Sequence, residues 1–168
     1  MEPNTGALAI IAEVGIAFVG FSTIVAVLQQ SFGRPLTPFQ ILLIHFYIET
    51  GLLNVGLALL PITLFSFFDS ELLVWRISTC TILFLSSVYV PLYVHRRRKV
   101  HAPNLVTSWF VIIGYGVSNL LLMLTLTELY WQPSLAVTTA YLLWAFCSSA
   151  VIFVYFLGSF LRSEQPAG

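Results

Sequence analysis

Charge is what this sequence has least of. Only 8% of its 168 residues are Asp, Glu, Lys or Arg, against 58% hydrophobic. A soluble domain carries roughly 25% charged residues, so this chain could not cover a water-facing surface, and lipid is the expected solvent. Cysteine is scarce as well. Cys80 and Cys147 fall at different depths of two apolar runs, which argues against a disulfide and leaves both as small packing residues. Of three histidines, His95 and His101 share one loop, so no multi-histidine centre can form and neither metal nor cofactor is expected. There is no HExxH, no GxSxG and no glycine-rich phosphate loop, so the chain does not read as an enzyme. One short basic loop is too little for nucleic-acid binding. The opening Met1-Glu2-Pro3-Asn4 lacks a basic n-region, so the first apolar run is expected to stay as a helix.

What is abundant is long apolar sequence. A membrane crossing takes about 20 mostly apolar residues, and five runs meet that length: 7–29, 40–66, 72–94, 105–127 and 134–161. The fold class expected is an all-α integral membrane protein, one polytopic bundle of five helices over residues 1–168. Breaker residues such as Pro35, Pro38, Asp69 and Pro133 mark the short connections, and Pro61 predicts a kink in the second helix.

Lys and Arg set the expected orientation. His95-Arg-Arg-Arg-Lys99 should be cytoplasmic, which puts the N-terminus outside and the C-terminus in the cytoplasm. Six of the seven basic residues then lie inside, and Glu2, Asp69, Glu71 and Glu128 gather outside. Membrane lipids are the obvious partners, with Arg96, Arg97, Arg98 and Lys99 as candidates for anionic headgroups.

Ionisable groups within apolar runs cost about 2.5–3.5 kcal/mol each on insertion scales, so they are where function is sought. Glu13 and Arg76 count to about 10 Å and about 6 Å below the outer surface. Paired there, with Asn54 and Asn119 near the same height, they would make a structural clasp or an outer gate. His45 and Glu49 lie one turn apart on one helix face, about 6 Å from each other. Counting from the helix start places Glu49 near mid-membrane, about 14 Å from the inner surface. With no other base expected nearby, the pair reads either as a step in a proton relay or ion site, or as a protonated Glu49 hydrogen-bonded to a neighbouring helix. Ala12, Gly15, Ser22 and Ala26, then Tyr47, Gly51, Asn54 and Ala58, then Thr138, Tyr141, Ala145 and Ser148 form small or polar stripes that suit helix packing.

The first function expected is ion or proton translocation by a channel or small transporter, homo-oligomeric, using Glu49, His45 and Glu13. The alternative is a non-catalytic accessory subunit packed in a larger membrane complex. The stretch from Ala12 to Ser22 resembles the opening of small bacterial membrane proteins, which implies no activity; the localisation expected is a bacterial plasma membrane.

Overall fold

A computed structural model of the chain describes residues 5–31, 37–100, 106–128 and 131–162, with side chains from 5–28, 37–100, 108–128 and 131–158. Among these residues the structure is all-helical, and α1 to α5 span Gly6–Ser31, Pro38–Leu64, Glu71–Lys99, Val106–Leu126 and Leu135–Arg162. All five are long and apolar enough to cross a membrane. Of the residues used in the sequence reading, Glu2, Pro35 and His101 fall outside the described residues.

Local chemistry explains where the helices start. Thr37 caps α2: its hydroxyl accepts from the Gln40 amide, and Gln40 Oε1 accepts from the Thr37 amide in return. Pro38 then sits in the first turn, where its missing N–H costs nothing. Ser70 caps α3 by accepting from the Leu73 amide. Glu71 in the first turn of α3 and Arg96 to Lys99 in the last complement its dipole. The basic run therefore continues the helix beyond the apolar stretch and is not the loop the sequence suggested. Pro61 lies inside α2 as expected, and Pro91 lies inside α3.

The helices form a closed ring of neighbours in chain order, and α2 and α5 also pack against each other through the middle. The small-residue stripes are all buried. Gly15 and Gly51 make matching notches between antiparallel α1 and α2. A Cβ on Gly15 would come within 2.9 Å of Val55, and one on Gly51 would strike Val19. Aromatic rings set the other heights: Phe65 packs edge-on against Trp75, and Phe46 packs at a tilt against Tyr93. The outer faces of α1 and α4 carry Ile10, Ile16, Ile24, Phe110, Ile113 and Leu120, each more than half exposed. That is a surface suited to lipid or protein, not to water. Cys80 and Cys147 are on the outer surface as free thiols, not in the packing positions expected of them.

Candidate functional site

Two ion pairs tie the described part of the bundle, and neither is the one the sequence suggested. Arg76 on α3 reaches Glu128 at the end of α4: Nε donates to Oε1 at 3.0 Å, and Nη2 contacts the same oxygen. Glu13 has no part in this clasp. Its helix packs on α2 and α5, with no close approach to α3 among the described residues. Glu13 sits on the outer face of α1, exposed and without a hydrogen bond or ion pair to another described residue. Asn54 and Asn119 are not at the clasp either. Asn54 is buried in the bundle, and Asn119 accepts from Ser86 at 2.6 Å. Glu128 holds φ 55°, a left-handed conformation that glycine or asparagine usually fills just after a helix end. The Arg76 contact anchors the side chain of that strained residue.

The second pair is Glu49 with Arg96. Arg96 Nη1 donates to both carboxylate oxygens, at 2.9 and 2.8 Å, and Tyr89 donates its hydroxyl to Oε2 at 3.1 Å. The expectation that only His45 could serve Glu49 is thereby overturned. His45 lies one turn away but is exposed and bonds to no described residue. The reason Arg96 arrives lies in helix geometry. Side chains lean toward the N-terminus of their own helix. In the antiparallel hairpin of α2 and α3, Glu49 leans toward the basic end while Arg96 leans away from it, so the two converge.

The same contacts correct the heights. Glu49 is level with Tyr89, six residues before the basic run opens at His95, so about 9 Å from it. The first turns of α2 lie beside that run, which is why counting from the start of α2 put Glu49 too deep. Gly15 faces Val55, so Glu13 is level with Leu57, about two turns further from the basic end than Glu49.

The basic run is also divided. Arg96 is turned to Glu49, and Arg97 is buried at 8% exposure. Arg98 and Lys99 are the exposed pair free to face a headgroup layer.

Behind the Glu49 pair is a polar core that the stripes foreshadowed only as packing. Thr50 and Ser149 share a hydrogen bond at 2.7 Å across α2 and α5, and Ser148 donates to the Tyr115 hydroxyl at 3.2 Å across α5 and α4. Beside these bonds lies a cavity of about 30 Å³ whose wall is mostly apolar, with Leu53, Leu57, Leu85 and Val90 among it, and with Thr50, Asn54, Ser86, Tyr89, Tyr115 and Tyr141 as its polar members. It has room for water. Asn54 Nδ2, fully buried, donates to no described residue. A second cavity of about 240 Å³ opens between α4 and α5 toward the other end, lined by Ser118, Leu121, Thr125, Trp131, Val137 and Tyr141. Tyr89 thus joins the Glu49 pair to the first cavity, and Tyr141 borders both cavities. Sequence reasoning passed over Tyr89 and over Tyr141 as chemistry. Counting outward from the turn between α2 and α3 would have brought Tyr89 near Glu49.

Among the described residues no three His, Cys, Asp or Glu side chains come together as a metal site would need. No protein-family model, curated protein or solved structure matches this chain.

Proposed function

We propose that the chain spans a bacterial plasma membrane with all five helices, N-terminus outside, and moves protons or a small cation along its own core. The observation that carries this reading is the run of polar groups from one end of the bundle toward the other. It begins at Arg96 and Glu49, passes the Tyr89 hydroxyl into the inner cavity, and meets the outer cavity at Tyr141. Glu49 is the group in this run whose charge can change, with Arg96 as its counter-ion. Protonating Glu49 would release the guanidinium toward the cytoplasmic side. Hydroxyls and water in the cavity would carry the proton on, since each can accept one and donate another. Tyr141, between the cavities, is the natural barrier. Glu13 is not on this route.

A second reading is supported by the completeness of the Glu49 pair. A carboxylate held by two charge-assisted bonds and a tyrosine is also what a fixed structural tie looks like. On that reading the chain is a non-catalytic subunit of a larger membrane assembly.

Purified protein in vesicles loaded with a fluorescent pH reporter separates the two. With an imposed proton gradient, wild type should acidify the lumen faster than empty vesicles. Glu49→Gln, which keeps shape and hydrogen bonds, should abolish that flux, and Tyr141→Phe should slow it. Unchanged flux in folded Glu49→Gln protein, or none in wild type under proton, sodium or potassium gradients, would favour the subunit reading.

A further inference from the structure

We infer that the inner cavity is a water site built on Asn54, and that the cargo of the polar route is the proton, not a metal cation. The cargo assignment rests on the translocation reading above; the water site does not.

Thr50, Asn54 and Leu57 recur at intervals of four and three residues, so they share one face of α2, and that face lines the cavity. Asn54 is 4% exposed, and its Nδ2 donates to no described residue. An amide N–H left unpaired in an apolar interior is costly, so a fully buried one marks a place where something accepts from it.

The neighbouring hydroxyls narrow what that is. Tyr115 accepts from Ser148 at 3.2 Å, so that bond does not use its own hydrogen. Ser86 donates to Asn119 at 2.6 Å and Tyr89 to Glu49 at 3.1 Å, so both oxygens keep lone pairs for accepting. The wall thus offers hydrogens at Asn54 and Tyr115 and lone pairs at Ser86 and Tyr89. A metal cation meets only the lone pairs, and an anion only the hydrogens. Water meets both.

Size and charge decide the same way. A cavity of about 30 Å³ holds about one or two waters. Sodium or potassium would bring a larger hydration shell, or need a ring of oxygen ligands in its place. The rest of the wall is apolar, and no Asp, Glu, Lys or Arg is among its described residues, so a bare ion would also lack a counter-charge.

A proton needs no such room, because it moves by exchange of bonds. When Glu49 is protonated its bond to Tyr89 reverses. Glu49 then gives the proton to the Tyr89 oxygen as Tyr89 passes its own hydrogen to the water. The water passes one of its three to Tyr141, whose own hydrogen leaves toward the outer cavity. Glu49 ends as a carboxylate, the hydroxyls and the water end neutral, and one proton has moved on. Asn54 takes no proton; it is a positioning residue for the water.

Asn54→Leu, close in size and without donors, tests both parts in full-length protein reconstituted in vesicles. X-ray radiolysis makes hydroxyl radicals wherever water sits, so tyrosines beside held water are labelled even when closed to bulk solvent. Tyr115 and Tyr141 are each 6% exposed. Wild type should label both. Asn54→Leu should cut that labelling severalfold and leave the exposed Trp131 unchanged. Asn54→Ser, which keeps a donor and leaves more room, should label as wild type does, which separates loss of the water from loss of the fold. Proton flux should fall severalfold in Asn54→Leu and recover in Asn54→Ser, with sodium and potassium flux at the level of empty vesicles throughout. Unlabelled Tyr115 and Tyr141 in wild type, or equal labelling in folded Asn54→Leu protein, would overturn the water site. Sodium or potassium flux through wild type would overturn the cargo. Absence of all flux would defeat the translocation reading and the cargo with it, whereas the water site is decided by the labelling alone.

Discussion

At the residue scale, Arg96 decides how Glu49 is read. Alone, Glu49 would be an unpaired carboxylate; with Arg96 and Tyr89 on it, it is a neutralised pair. Both side chains are partly exposed, 47% for Arg96 and 35% for Glu49, so the pair is worth far less than a buried one. Arg96→Ala should still destabilise the bundle by about 1–2 kcal/mol, because Glu49 is left with Tyr89 alone. The double variant Glu49→Gln with Arg96→Gln should cost less, since no charge is then stranded. Thermal unfolding in detergent would show the order, and a double variant worse than Arg96→Ala would refute it. The composition and hydropathy that revealed Glu49 as unusual could not reveal Arg96. That needed the lean of side chains in opposed helices, which depends on the register of the α2–α3 hairpin. Arg76 failed for a related reason. Its true partner, Glu128, lies past a helix end, while the tempting one, Glu13, is near it only when depth is counted without knowing which helices are neighbours.

At the element scale, the five helices were legible because a 20-residue apolar run admits few other structures. The end of α3 was not, since a run of arginines reads as a connection although it suits the C-terminal end of a helix dipole. Glycine placement is the finer feature. On α4, a Cβ at Gly114 would run into the indole of Trp144, whereas one at Gly116 would meet nothing within 4 Å. The two positions differ by two residues and face different ways. Gly114→Ala should force α4 and α5 apart and destabilise by about 1–3 kcal/mol. Gly116→Ala should be neutral or stabilise by up to about 1 kcal/mol through helix propensity. Matched melting curves check both. Equal effects at the two sites would mean that Trp144 has room to turn aside, and that the α4–α5 contact is looser than its geometry.

At the scale of the whole molecule, charge is sorted by end. Asp69, Glu71 and Glu128 lie at one end of the bundle with Arg76 among them, and Arg96 to Lys99 lie at the other. Such sorting orients a membrane protein, because basic residues near a span resist transfer across the bilayer. Two of the four basic side chains are turned inward, toward Glu49 and into the bundle, but this does not weaken the signal. Orientation is settled while the chain inserts, before Arg96 has found its partner. The expected arrangement therefore has the turn between α2 and α3 outside and the end of α3 inside. In protein lacking its native cysteines, Ser66→Cys should react with a membrane-impermeant maleimide in intact cells. Val100→Cys should react only after the cells are opened. Both positions are described in the structure, at opposite ends of the bundle, and neither carries charge, so the probes do not alter the signal they report. The reverse labelling pattern would invert the bundle. The Glu49 end would then face the outside, and the direction assigned to the polar route through Tyr89 and Tyr141 would reverse with it.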